Sequence, residues 1–170
     1  MLEVSGSEDF AGSLRGIEPS AAMVKYANEK AEANGIKLEV AEGYAEKLPY
    51  SAASFDTVFC TRVLHHIPKD ARARAITEIR RVMKPGGRVV IVDLQKPRSL
   101  FKALRAAISI VSILHGAGSS AARTDFDALS ADLQQLGFTD ISLHSFGNGA
   151  TGGLVGTLGR MESAPEALSN

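Results

Sequence analysis

The chain has a single cysteine, Cys60, so no disulfide can close within it. Neither sign of charge is in excess: Lys+Arg and Asp+Glu are both 19. That balance leaves no electrostatic footprint for nucleic acid or an anionic membrane. Long hydrophobic runs are also missing. The most apolar stretch, 106–114 within 100–115, is shorter than the ~20 residues of a membrane span, and Lys102 and Arg105 interrupt its approach. Met1-Leu2-Glu3-Val4 lacks the basic start and apolar run of a signal peptide. With one thiol and no leader pattern, a cytoplasmic location is the expectation. No repeat or linker interrupts 1–160, which reads as a single domain, followed by a flexible tail over 161–170.

Hydrophobic residues make up 45% of the chain and charged residues 22%, ordinary for a globular protein that buries a core without staples. Short strand candidates lie at 2–4 and 14–18. Ser20 caps a helix over 21–34, which Gly35 ends. A strand at 37–41, a loop at 43–54 and a strand at 55–60 follow. Pro68-Lys69-Asp70 opens a second helix with Asp70 as N-cap, and Ile76, Ile79 and Met83 carry its apolar spacing. Pro85-Gly86-Gly87 turns the chain into 88–93, whose Val89-Val90-Ile91-Val92 is typical of a strand buried on both faces. A helix over 100–115 and a flexible-looking 116–123 come next. Thr124 with Asp127 fits a capping box, before Phe126, Leu129, Leu133 and Leu136 on one helical face. Strands at 138–146 and 154–160 close the chain across a Gly-rich turn. Strands alternating with helices predict an α/β fold: an open, mostly parallel, Rossmann-like sheet with helices on both faces and one antiparallel strand in the edge region.

Glu18 is the strongest ligand candidate. An acid at the end of a strand, just before a helix, is where a nucleotide ribose is held. Its carboxylate can accept both ribose hydroxyl hydrogens, a contact that Gln or Ala cannot copy with charge. The plainer role is a helix N-terminal acid favoured by the macrodipole. The stretch SFDTVFCTRVLHH, 54–66, reads as a buried strand running into a loop, where open α/β sheets place ligands. Cys60 there reads as a small buried apolar residue rather than a nucleophile. His65 and His66 are the candidates for an acid–base role. Adjacent histidines on a helix point about 100° apart, so no metal site is expected, and the pair reads first as structural or pocket-lining.

Three segments, GIEPSAAM (16–23), AEGYAEKLPYSAASFDTVFCTRVLHHI (41–67) and EIRRVMKPGGRVVIVD (78–93), resemble the class I S-adenosylmethionine-dependent methyltransferases, in the broad small-molecule branch of that superfamily. The resemblance implies a sheet of seven strands, six parallel and one antiparallel, ordered 3-2-1-4-5-7-6, and S-adenosyl-L-methionine as cofactor. It implies that Glu18 binds the ribose. It places Tyr44-Ala45 where the family has Asp-Ala beside the adenine, with the Ala45 N–H offered to a ring nitrogen. Thr61 and Arg62 would line the methionine end of the cofactor and the substrate entrance. Glu3 matches the acid of the glycine motif and Gly6 its remaining glycine. Met23, on the helix behind Glu18, is expected in the core.

The start of the chain departs from the family pattern of an acid, one residue and three alternating glycines: here it reads Glu3-Val4-Ser5-Gly6-Ser7-Glu8-Asp9. Glu8 and Asp9 put two acids where the methionine carboxylate belongs. The 15 positions from Glu3 to Glu18 leave room for about two helical turns. The expectation is a shortened, N-terminally truncated fold with impaired cofactor binding. Methyl transfer mainly requires alignment of nucleophile, methyl and sulfur, so the absence of a triad excludes nothing. The expected function is methyl transfer to a small molecule. The greasy 100–115 segment, read as a core or lid helix, favours an apolar or amphiphilic acceptor. A peripheral membrane contact through Lys96, Arg98, Lys102 and Arg105 is the sharper reading of that segment. Competing functions are a non-catalytic methyltransferase-like fragment or interaction module, and a nicotinamide-dependent oxidoreductase, whose glycine fingerprint is missing.

Overall fold

The computed structural model describes residues 12–96, 123–147 and 149–160. The strand expected at 2–4, the helix at 100–115 and the tail lie outside the described residues. The chain gathers into two compact units, one containing 12–51 with Lys69–Val82, the other Ala52–Pro68 with 83–160.

In the first unit, β1 (Leu14–Glu18) and β2 (Leu38–Glu42) pair in parallel, with Gly16 opposite Val40 and Glu18 opposite Glu42. Parallel neighbours need a crossover rather than a tight turn, and α1 (Ala21–Ala33) supplies it. Gly35 ends α1 at φ +66. There the Ile36 N–H donates to the Ala31 carbonyl at 2.9 Å, and the Gly35 N–H to Glu32 at 3.0 Å, which satisfies the last carbonyls of the helix. The Asn28 side chain both donates to the Val40 carbonyl and accepts from its N–H, each at 2.9 Å, and so ties α1 to β2. α2 (Lys69–Val82) buries Ala71, Ala75, Ile76, Ile79 and Val82, a stripe at helical spacing. α2 starts at Lys69, so Asp70 lies inside its first turn rather than at the N-cap, where its charge still meets the positive end of the helix.

In the second unit, β3 (Phe55–Thr61), β4 (Met83–Leu94), β5 (Phe138–Phe146) and β6 (Thr151–Leu158) form one sheet ordered β3-β4-β6-β5. β3 and β4 are parallel, and β6 runs antiparallel to both β4 and β5. The sheet is therefore mixed, and the reversed strand sits one place in from the edge. The two sheets read as the 3-2 and 4-5-7-6 parts of the order that the family resemblance implies.

β4 begins earlier than the β-branched run foretold. Met83 pairs with Phe55, and the register then shifts so that Thr57 faces Arg88. Met83 thus belongs to the strand, not to the helical stripe, and Pro85-Gly86-Gly87 form its irregular stretch. Gly86 has φ +81, and a Cβ at Gly87 would lie 2.9 Å from the Asp56 and Lys84 carbonyl oxygens. Val89, Ile91 and Asp93 are buried on one face of β4. α3 (Phe126–Gln135) lays buried Phe126, Leu129 and Leu133 on β5 and β6. Its N-cap is Asp125, whose carboxylate accepts from the Ala128 N–H at 3.2 Å. Thr124 is not the cap, because its hydroxyl donates instead to Asp93 at 3.1 Å. β6 takes in Gly152 and Gly153, expected in a turn, because the Phe126 and Phe146 rings press against that backbone.

Candidate functional site

Glu18 ends β1, and its main-chain carbonyl accepts from the Gly43 N–H at 3.2 Å. This bond sets the Gly43–Tyr44–Ala45 turn beside Glu18, at the C-terminal ends of two parallel strands. The Oε1 of Glu18 accepts from the Ser20 N–H at 3.0 Å. The other carboxylate oxygen and the Ala45 N–H have no partner among the described residues. Tyr44 is exposed and makes a tight bridge with Lys47, whose N–H donates to the Tyr44 carbonyl at 3.2 Å. Met23 is exposed rather than packed in the core, because it lies on the outer face of α1.

The loop after Ala45 is held from α2. Arg81 donates to the Leu48 carbonyl at 2.9 Å and the Tyr50 carbonyl at 2.7 Å. Glu78 accepts from the Leu48 N–H at 2.8 Å and from the Arg81 Nε at 2.6 Å. The Arg81 hydrogen bond, helped by the Leu48 N–H, holds the Glu78 carboxyl below the usual carboxylate range despite some desolvation. Tyr50 in turn donates its hydroxyl to the Gly16 carbonyl at 3.3 Å, which ties the loop to β1.

The second unit carries the other candidates. Thr61 ends β3. Arg62 follows with φ +55, a left-handed backbone that a side chain resists, and its N–H is fixed to the Val92 carbonyl at 2.7 Å. His65 and His66 lie in a turn, not on a helix as expected. The His66 N–H donates to Val63 at 2.9 Å and the Ile67 N–H to Leu64 at 3.2 Å. Their rings stack tilted at 42°, with centroids 3.8 Å apart. His65 is buried and His66 exposed.

His65 meets Asp93, at the end of β4. One oxygen of the buried Asp93 accepts from the His65 backbone N–H at 2.8 Å and from the Thr124 hydroxyl. The other accepts from the Leu94 N–H at 2.7 Å and pairs closely with the His65 Nδ1. Beside them Gln95 is buried and accepts from the Ser145 hydroxyl at 3.0 Å. Cys60 is buried, and burial first, then the Asp93 charge, push its thiol up to about 12, which removes it as a nucleophile. Lys96, expected near headgroups, pairs with Asp125 at 3.2 Å. Among the described residues no helix is long and apolar enough to cross a membrane.

A family model described as a methyltransferase domain matches residues 4–91. The chain belongs to the class I S-adenosylmethionine-dependent methyltransferases. A ubiquinone/menaquinone biosynthesis C-methyltransferase of Geotalea daltonii is 33% identical over 108 residues, 61% of this chain and 44% of that protein. An uncharacterised protein of Escherichia coli is 38% identical over 93 residues, 54% of this chain and 44% of its own length. The chain thus spans less than half the length of these relatives. A solved S-adenosylmethionine-dependent methyltransferase of Methanosarcina mazei superposes with TM-score 0.70 at 20% identity, covering 88% of this chain and 83% of that one. At that identity the likeness bears on the fold alone.

The structure therefore brings Glu18 together with Tyr44 and Ala45, and Thr61 and Arg62 together with the histidine turn. Glu3 and Gly6 lie outside the described residues. Reading of the sequence missed Asp93 as the partner of His65, and Thr124 as a donor to Asp93. The one available signal was an acid closing a β-branched strand.

Proposed function

We propose that this methyltransferase, folded as a single domain over 1–160, binds S-adenosyl-L-methionine and transfers its methyl group to a small apolar or amphiphilic molecule. The observation that carries this is a Glu18 carboxylate oxygen and an Ala45 N–H, each without a partner among the described residues, on the two segments that the Gly43 N–H to Glu18 carbonyl bond joins at the ends of β1 and β2. An adenosine offers the matching groups: ribose hydroxyls for the acid and a ring nitrogen for the N–H. The cofactor supplies a methyl carbon already activated by a sulfonium. Glu18 holds the ribose, Ala45 meets the adenine, and Arg81 with Glu78 keeps the intervening loop in place. Thr61 and Arg62, with Glu3 and Gly6, serve the methionine end. The apolar 100–115 segment and the C-methyltransferase likeness of a quinone pathway relative both support a greasy acceptor.

Affinity is expected to be low, because Glu8 and Asp9 repel the methionine carboxylate and Ser5 and Ser7 replace glycines. A thermal-shift comparison with S-adenosylmethionine, S-adenosylhomocysteine and NAD tests the reading, since a ligand of the folded state raises the melting temperature. Stabilisation by the two adenosyl compounds and not by NAD is the expected result. Rebuilding Ser5–Asp9 as a glycine-rich loop with the missing helix residues restored should tighten binding about tenfold, or about 1.4 kcal/mol. Stabilisation by NAD alone would overturn the proposal.

A further inference from the structure

We propose that the face of the β3-β4-β6-β5 sheet opposite α3 is a self-association surface, on which a second copy of this chain packs. Residues paired across neighbouring strands point to the same side of a sheet. A Cβ at Gly152 would meet the Phe126 ring, so Gly152 marks the face that α3 covers. Gly153 marks the other face, where its Cβ would lie 2.8 Å from the Phe146 ring. Register puts Phe59, Val90 and Val155 in one row of that open face, with Val92 and Leu94 further along β4. Val90, Val92, Leu94 and Val155 are only half-buried, and Phe59 and Phe146 are 39% and 48% exposed. A sheet face made for water carries polar residues at such alternate positions. The apolar run of β4 predicts burial on both sides, and this chain alone supplies it on one.

The occupant is a second copy because the face complements itself in charge and in size. Thr57, Arg88, Thr157 and Thr139 form its end row. Asp140 stands beside Thr139, whose hydroxyl donates to the Asp140 carboxylate at 3.2 Å. Neither Arg88 nor Asp140 has an ion pair among the described residues, and β6 lies between their strands. Stacked sheets keep their strands aligned within about 30°. A two-fold axis along the strands lays β4 on β6 of the second copy and β3 on its β5. Arg88 then comes beside Asp140 of the second copy, and symmetry makes that contact twice. Phe59 comes over the small Ser142, and Val90 over Val155. A two-fold axis across the strands would instead press Arg88 onto Leu94, burying a charge without a partner.

The size of the face sets the strength. Four strands about 4.8 Å apart, over the Arg88–Leu94 length of β4, make a face of about 400 Å² in projection. A standard interface buries about 800 Å² on each partner. The dimer is therefore weak and reversible, with a dissociation constant on the order of 10–100 μM.

Sedimentation velocity on the full chain, up to about 300 μM, tests this. The expected result is a concentration-dependent monomer–dimer equilibrium. Arg88→Asp should weaken it about tenfold or more, since two ion pairs become two repulsions. Adding Asp140→Asn removes the repulsion and should recover part of the loss, a rescue that a folding defect does not give. Asn suits the left-handed backbone of Asp140, at φ +51, so Asp140→Asn alone, expected to weaken the dimer about threefold, decides the point if Arg88→Asp does not fold. Arg74→Asp, on the exposed side of α2, should change nothing. A wild type that stays monomeric at the highest concentration overturns the proposal. So does a dimer indifferent to both Arg88→Asp and Asp140→Asn, which would place the contact elsewhere on the chain.

Discussion

The guanidinium of Arg81, near the end of α2, donates to the main-chain carbonyl of Tyr50 at 2.7 Å. A second nitrogen of the same group reaches Leu48, and Glu78 braces both Arg81 and the Leu48 N–H. A planar fork with fixed donors suits this clamp, and a lysine ammonium does not copy it. Arg81→Lys is therefore expected to raise amide exchange across 47–50 while leaving β3 and β4 protected. Hydrogen-exchange mass spectrometry checks it, and unchanged exchange would show that Tyr50 alone holds the loop.

The same clamp carries a pH dependence. Glu78 is held below the ordinary carboxylate range, chiefly by Arg81. Its contribution to stability is complete above the unfolded value, about 4.3, and is lost as pH falls through the folded one. Acid titration of the wild type should loosen the loop, and Glu78→Gln should flatten that part of the stability profile. Denaturant melts at stepped pH give the answer.

Glu18→Ala should weaken S-adenosylmethionine binding by about 1.5–3 kcal/mol, the worth of a hydrogen bond to a charged group. Folding should change little, since among the described residues the side chain makes one exposed hydrogen bond, to the Ser20 N–H. Calorimetric titration of both proteins decides it, and equal affinities would remove Glu18 from the site.

The Cys60 thiol, pushed up to about 12 by burial, should resist alkylation at pH 8 in the folded chain and react after denaturation. The unfolded thiol ionises near 8.5. Above that pH the unfolded state binds fewer protons than the folded one, so stability falls with rising pH until the folded thiol itself titrates. The slope is at most ~1.4 kcal/mol per pH unit, and Cys60→Ala should remove it.

Gly152→Ala should destabilise the second unit by about 1–3 kcal/mol. Its Cβ would lie 2.5 Å from a ring carbon of Phe126 and 2.7 Å from the Gln95 Oε1. Both neighbours are buried, so neither moves aside freely. Phe126→Leu in the same background should recover part of the loss, measured by denaturant midpoint.

Much of this was legible from residue order. Strand and helix positions followed local spacing, because apolar periodicity and Gly or Pro stops act within a few residues of themselves. The positions of Glu18 at a strand end and of Tyr44-Ala45 in the turn after the next strand were legible because both are local features. The miscast caps had a long-range cause. Thr124 satisfies the local rule for a cap, but Asp93, 31 residues earlier, takes its hydroxyl.

By itself the sequence determined the alternation of strands and helices, the Glu18 turn and the membership of a methyltransferase family, all written in short contiguous stretches. Tertiary structure alone decided that Gly152 belongs to a strand and that His65 meets Asp93 across 28 residues. Those outcomes depend on which distant groups must share a buried space and satisfy one another's hydrogen bonds, a constraint that no local window of sequence contains.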